Sequence, residues 1–333
     1  MSPARSFGDE PDRAAGTDIR SALVVGAGAV GAAVAGIIAA RDPRAVAVLA
    51  GRERLERYRS QGFLLNGTRR DFRLVSPEEP GRAQLVIVAV KNHQLPHAIR
   101  DMGGHVGPET LILPFLNGIT SEDELAAAFG QEKVLYAMIL GIDAVREENR
   151  TVYSSTGKIH FGDAANTPGA WSGRVSRVAA FFERTGVACV VPQDMVRSLW
   201  YKYMINVGIN QVSAVIRAPY RIFQTDPDAK AVMEAAMAET IALSGAMGTG
   251  LVDSDIAAWH KTLGGFGSEG KTSMLQDVEA RRKTEVEAFA DTVVSLGRKA
   301  GVSMGGIAKL SNDWTPDWEP SLTVLAFQAA ALR

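Results

Sequence analysis

Residues 21–40 read SALVVGAGAVGAAVAGIIAA. The apolar run ALVV passes directly into Gly26-Ala27-Gly28-Ala29-Val30-Gly31, and an alanine-rich helical pattern follows to about residue 41. A GxGxxG spacing alone carries little, but between a strand and a helix each glycine has a task. Gly26 permits the tight turn, Gly28 leaves room for a pyrophosphate, and Gly31 lets the helix pack closely on the strand. The helix N-terminus adds unpaired N–H groups that face an anion. The stretch predicts a dinucleotide loop formed by Gly26, Ala27, Gly28, Ala29, Val30 and Gly31; a glycine-rich turn without a ligand is the plainer alternative.

Outward from this loop, SALVV, AVAVLA, QLVIVAV and TLILPF are apolar runs bounded by Gly, Pro or polar breakers. Helical patterns occupy 30–41, 52–61, 94–102, 121–129 and 171–184. Strands apolar on both faces and separated by helices indicate a parallel sheet covered on both sides. Residues 134–162 read as a strand followed by a hairpin, extending that sheet antiparallel. After Pro192 the texture becomes helical over 194–216, 228–248, 253–263 and 271–300. The fold class is α/β, an N-terminal Rossmann-type dinucleotide-binding domain over 18–193 with an all-helical C-terminal domain over 194–333. Residues 1–17, polar and rich in Pro, Gly and charge, read as a disordered tail.

The chain has 333 residues, 46% hydrophobic and 22% charged, which suits two sizeable cores and excludes disorder for most of the length. Lys plus Arg (36) nearly balances Asp plus Glu (37), so no global field draws nucleic acid or an anionic membrane. No apolar run has the length and bulk of a bilayer span, about 18 residues. The single cysteine, Cys189, lies in VACVV and reads as a buried, inert thiol that fits a reducing cytoplasm. The sequence leaves the oligomeric state open, a homodimer being one arrangement it allows.

The second strand should end near Ala50, where an NAD-selective site usually places an acid for the ribose 2′-hydroxyl. Gly51-Arg52 stands there instead. A guanidinium suits a 2′-phosphate, and no acid repels it, so the predicted cofactor is NADPH/NADP+. Arg52, Arg54 and Arg57 also read as the solvated face of the next helix, which is the better reading for the latter two. QLVIVAV ends in Lys91-Asn92-His93-Gln94 and TLILPF in Asn117-Gly118, both at strand C-termini. That edge forms the ligand crevice of an open parallel sheet, so Lys91, Gln94 and Asn117 are candidates for the nicotinamide end. His93 and His97 are four apart but lack a third ligand, and no metal site is expected.

In the helical domain LWYKYMINVGINQVSA places Lys202, Asn206 and Asn210 at successive i, i+4 positions, drifting only about 40° per step along one stripe. Polar groups amid Leu199, Met204, Ile205 and Ile209 need partners, which a polar substrate would supply. Further on, KTSMLQDVEARRKTEVEAF carries Ser273 near a helix start and Glu285 about 120° round from it on an ideal helix. Asp277 with Arg281 reads as a structural i, i+4 pair. Taken alone, Ser273 and Glu285 read as a cap and a solvated face.

In this order, GAGAVG at 26–31, Arg52, VKNHQ at 90–94, NG at 117–118, LWYKYMIN at 199–206 with Asn210, and SMLQD with RKTE at 273–285 resemble the ketopantoate reductase (2-dehydropantoate 2-reductase) family from residue 20 onward. The resemblance implies NADPH-dependent reduction of a short 2-oxo acid, ketopantoate to pantoate, on the route to pantothenate and coenzyme A. It implies Lys202 as general acid and Glu285 as acceptor for the substrate hydroxyl. Asn206 and Asn210 would position the substrate, Ser273 would hold its carboxylate, and Lys91 and Asn117 would bridge cofactor and substrate. A cleft between the domains would assemble the site and its closure would gate turnover.

The chain departs from that pattern at two positions: Tyr220 follows Pro219 where an Asn is common, and Gly270 stands where another Asn usually precedes the motif serine by three. GVSMGGIAKL and NDWTPDWEP are also atypical. A related 2-oxo acid is therefore an alternative substrate. A β-hydroxy acid is another, because β-hydroxyacid dehydrogenases also join a Rossmann domain to a Lys-x-x-x-Asn pair, although their Gly-Gly substrate loop is not found near residues 120–130. A non-catalytic NADP-binding sensor is another reading, which the retained Lys202 disfavours.

Overall fold

The structure, a computed structural model, describes residues 18–79 and 81–312. The expected tail at 1–17 and all but the first residue of NDWTPDWEP lie outside the described residues. The chain divides into two compact units between Val196 and Arg197.

The first unit opens with β1 (Ala22–Val25), α1 (Ala29–Arg41), β2 (Val46–Leu49) and α2 (Arg52–Gln61). There follow β3 (Phe63–Leu65), β4 (Thr68–Arg70), β5 (Arg73–Val75), β6 (Ala83–Val88), α3 (Leu95–Met102), β7 (Val106–Pro114) and α4 (Ser121–Phe129). A five-stranded sheet runs in the order β5-β2-β1-β6-β7. All its pairings are parallel, with Val24 opposite Val48 on one side and Ile87 on the other. β1 and β2 are buried along their whole length, as their two-sided apolar runs require. The strand order reverses beside β1, and this switch point opens the crevice at the strand C-termini. The Asn66-Gly67 turn joins β3 to β4 with both residues at positive φ, +46° and +81°.

β8 (Tyr136–Ile142), β9 (Val145–Glu147), β10 (Arg150–Val152), β11 (Thr156–Gly162), α5 (Gly173–Thr185) and β12 (Cys189–Val190) complete the unit. The expected antiparallel extension of the main sheet does not form. Val134 makes a single parallel bridge to Ile112, after which β8 pairs antiparallel with β11 in a separate sheet, β12-β11-β8. β9 and β10 join a third sheet, β4-β3-β10-β9.

The second unit is helical among the described residues: α6 (Met195–Ile205), a π-helical segment (Asn206–Asn210), α7 (Gln211–Ile216), α8 (Tyr220–Thr225), α9 (Pro227–Met247) and α10 (Ser254–Leu263). α11 (Ser273–Glu279), a second π-helical segment (Glu287–Asp291), α12 (Thr292–Ala300) and α13 (Gly305–Asn312) follow. Met204, Ile209, Phe223, Met233, Met237 and Phe289 are buried in its core, each contributing roughly 1.5–3 kcal/mol of transfer free energy. The continuous helix expected over 271–300 breaks between Glu279 and Val286. Arg281 takes a left-handed φ of +53°, and Arg282 turns back, its N–H on the Asp277 carbonyl (2.8 Å) and its Nε on the Asp277 carboxylate (3.0 Å). Arg282 therefore fills the pairing role expected of Arg281.

Candidate active site

Gly26 has φ +97°, and a Cβ there would stand 2.8 Å from the Ala89 carbonyl carbon and oxygen. At Gly31 a Cβ would lie 2.0 Å from the Gly26 carbonyl oxygen. Both positions are closed to side chains by backbone. Gly28 differs: it is exposed, it caps α1 with no side-chain bond, and a Cβ would meet only the Ala89 oxygen, at 4.0 Å. The first turn of α1 carries no acid. The loop thus leaves open space over N–H groups at the positive end of a helix, a cradle that fits a dinucleotide pyrophosphate.

Arg52 is exposed at the first position of α2, directly past the C-terminal end of β2. Its charge reaches Glu78, whose carboxyl is held below the usual range mainly by the Ser76 hydroxyl, then by its own N–H, with Arg52 a lesser cause. Arg54 pairs with Asp101 at 3.8 Å and the Arg57 guanidinium lies over the Tyr58 ring, so those two arginines serve the surface of the fold.

Lys91 ends the run after β6 and is half-buried; its backbone N–H donates to Gln94 Oε1 at 3.2 Å, which engages the exposed Gln94 side chain in the turn. Asn92 Nδ2 donates to the Asn117 carbonyl oxygen at 2.9 Å, and Gly118 at φ +96° carries the chain onward. The ends of β6 and β7 are thereby tied together, and the structure places Lys91, Gln94 and Asn117 on the same strand-end edge as the glycine loop. Asn92 was not singled out by pattern, although it stands inside the VKNHQ stretch.

In the second unit the i, i+4 stripe takes a shape that a regular helix would not give it. The π-helical segment begins at Asn206 and ends at Asn210, and a wider turn brings residues four apart closer to one line. Asn210 Nδ2 donates to Asn206 Oδ1 at 3.1 Å, both side chains being buried. Asn206 Nδ2 is buried with no hydrogen-bond partner among the described residues. Lys202 is half-buried one turn earlier on α6. Next to it, Tyr203 donates from its hydroxyl to the Phe289 carbonyl at 2.8 Å, anchoring α6 to the second π-helical segment; burial pushes that phenol up.

Ser273 is exposed and is not the cap of α11. Thr272 is, its hydroxyl accepting from Leu275 N–H at 3.2 Å and donating to Ser213 Oγ at 3.2 Å. One turn past Asn210 the α7 helix is therefore fastened to the residue preceding Ser273. Glu285 is buried beyond the helix break, two residues before the π-helical segment that packs on Asn206–Asn210. The break makes the ideal-helix angle between Ser273 and Glu285 irrelevant. Thr284 Oγ1, beside Glu285, is buried without a partner among the described residues, a polar group that spacing gave no reason to notice.

A glycine cradle at a parallel-sheet switch point, with a lysine and two coupled amides in a helical unit, defines a two-part dinucleotide-binding protein of the oxidoreductase type. Residues 22–166 match the family described as ketopantoate reductase PanE/ApbA, and residues 194–310 its C-terminal part. The chain belongs to this family and is an oxidoreductase. It is 27% identical over 300 residues to a 2-dehydropantoate 2-reductase of Halobacterium salinarum, covering 87% of this chain and 96% of that one. The crystal structure of a 2-dehydropantoate 2-reductase from Geobacter metallireducens superposes with a TM-score of 0.77 at 26% identity, over 87% of this chain and 98% of the other. A D-mandelate dehydrogenase in complex with NADH and anilino(oxo)acetate shares the fold at a TM-score of 0.79 and 17% identity, over 94% and 100% of the two chains. Among the described residues no helix is long and apolar enough to cross a membrane.

Proposed function

We propose that the protein reduces a short 2-oxo acid with NADPH, ketopantoate being the substrate to which the family points, in the supply of pantothenate. The observation that carries this reading is the buried amide relay in the helix of Lys202: Asn210 donates to Asn206, and Asn206 keeps a donor with no acceptor among the described residues. A buried amide donor without a partner costs about 1–3 kcal/mol, and a substrate oxygen would recover it. When bound, the reduced nicotinamide supplies the hydride taken up by the carbonyl carbon.

Lys202, as an ammonium, stabilises the oxyanion developing on the former carbonyl oxygen and gives it a proton. Asn206 and Asn210 fix the direction of the lysine and the substrate. Ser273, whose hydroxyl is not used in capping, donates to the substrate carboxylate, and Glu285 accepts from the substrate hydroxyl. Gly26 to Gly31 hold the pyrophosphate, Arg52 takes the 2′-phosphate, and Lys91, Gln94 and Asn117 line the nicotinamide end. The protein works in the cytoplasm, and its assembly is a homodimer.

The deciding experiment follows NADPH and NADH oxidation at 340 nm with a panel of 2-oxo acids that includes ketopantoate. Oxidation is expected with ketopantoate and faster with NADPH. Absence of oxidation across the panel, with NADPH binding retained, would instead support the sensor reading.

A further inference from the structure

Tyr220 and Gly270, the two positions that stand out in the sequence reading, touch each other. Tyr220, the first residue of α8, donates its N–H to the Gly270 carbonyl at 2.9 Å, and Arg221 N–H bonds the Ser268 carbonyl at 2.8 Å. A Cβ on Gly270 would lie 2.8 Å from Tyr220 Cδ2 and 3.0 Å from Cε2, so the ring occupies the space of any side chain at that position. One aromatic ring thus fills the space beside both positions. The ring continues into others: Tyr220 and Phe266 are 5.2 Å apart, and Phe266 meets Trp259 edge-on at 5.9 Å.

This aromatic row packs on the loop that precedes Ser273. Gly270 lies three residues before Ser273, and Thr272 between them bonds Ser213, one turn past Asn210. The ring therefore flanks the loop that runs from α10 to Ser273 at the start of α11, a loop that Thr272 fastens to α7. Burial alone pushes the Tyr220 phenol up, with neither a charge nor a hydrogen bond contributing.

We propose that Tyr220, seated on Gly270, sets the substrate class of this reductase: the arm of the 2-oxo acid meets an aromatic face, so the enzyme also takes branched-alkyl and aryl 2-oxo acids, within about a hundredfold of hydroxylated ones. The inference rests on the reductase reading given above. A site that hydrogen-bonds a hydroxyl rejects the analogue lacking it by about 10⁴–10⁵, whereas an apolar wall distinguishes the two by about 10² or less.

The test compares kcat/KM with NADPH for ketopantoate (4-hydroxy-3,3-dimethyl-2-oxobutanoate), for 3,3-dimethyl-2-oxobutanoate, which lacks only the hydroxyl, and for phenylglyoxylate. A ratio of ketopantoate to its deoxy analogue at or below about 10² is expected, with measurable turnover of phenylglyoxylate. Tyr220→Phe should keep the wild-type ratio even if both rates change, and Tyr220→Asn with Gly270→Asn should raise it about tenfold or more, toward the range of a hydroxyl-binding site. A wild-type ratio above about 10² overturns the proposal, as does a Tyr220→Phe ratio that departs from the wild-type one, since the phenol hydroxyl would then be reading the arm. Both of these results leave the reductase reading standing. Failure to oxidise NADPH with all three acids overturns that reading and this inference with it.

Discussion

In the proposed reaction Lys202 protonates an alkoxide, which requires that the groups around it fix its direction, and the Asn206–Asn210 bond one and two turns on is a fixed contact on the same stripe. On that proposal, loss of the ammonium removes a transition-state interaction and leaves the glycine cradle of the other unit untouched. Lys202→Ala is therefore expected to lower kcat by about 10²–10⁴ while the NADPH Kd, read by fluorescence titration, stays as in the wild type. An equal fall in cofactor affinity would remove the lysine from the role of general acid. A second residue makes a prediction about stability. Glu122, at the start of α4, is buried, and burial pushes its carboxyl up to about 7 against the lowering bonds from its own N–H, the Ser121 hydroxyl and the Ala137 backbone. In the unfolded chain this group titrates near 4.5. Between the two values the native state keeps a proton that the unfolded state has lost, so the contribution is complete below pH 4.5, falls as pH rises, and is gone above 7. The loss is on the order of 3 kcal/mol across that window. Glu122→Gln should flatten this part of the stability-against-pH curve in denaturant titrations, and an unaltered slope would place the titration elsewhere.

At the scale of elements, the π-helical segment rests on one glycine. A Cβ on Gly208 would lie 2.6 Å from Met237 Cγ and 3.2 Å from the Met233 carbonyl on α9, so the two helices approach to a distance that only glycine allows. Gly208→Ala should cost about 1–3 kcal/mol by overpacking and lower kcat by shifting the amide pair, with Met237→Ala restoring part of both. A variant as stable and active as the wild type would show that α9 yields freely. The elements also show where pattern reading holds and fails. The sheet strands were legible because burial on both faces leaves continuous apolar runs, and α1, α2, α3, α4 and α5 lie within about two residues of their expected ranges. The break after Glu279 was not legible, because ARRKTEVEAF has good helical propensity. The contest is settled by Arg282 folding back on Asp277, whose consequence for backbone direction spacing does not express. The short strands β3 and β4 carried a usable signal in Asn66-Gly67, whereas the π-helical segment, a property of packing against α9, had none. Of the candidate residues, the Asn206–Asn210 contact was visible in the spacing, and the capping role of Thr272 was hidden behind the serine next to it.

For the whole molecule, a formal net charge of −1 on 333 residues means that cofactor choice cannot come from a long-range field. It must come from single charges at the strand ends, and Arg52 stands there with Glu78 within electrostatic reach. A ligand that binds only the folded state stabilises it by RT ln(1 + [L]/Kd), about 2.7 kcal/mol at 100 times Kd. For a unit of roughly 150–250 residues this corresponds to an upward shift in Tm of roughly 5–10 °C. NADPH is expected to produce such a shift in the unfolding of the glycine-loop unit, and NADH at equal concentration a smaller one. Arg52→Ala should bring the NADPH shift down toward the NADH value and leave the NADH shift alone, because the guanidinium has no partner on a ribose 2′-hydroxyl comparable to a phosphate. Equal shifts for the two cofactors in the wild type would return Arg52 to the solvated face of α2 and leave the glycine cradle as a site for either dinucleotide.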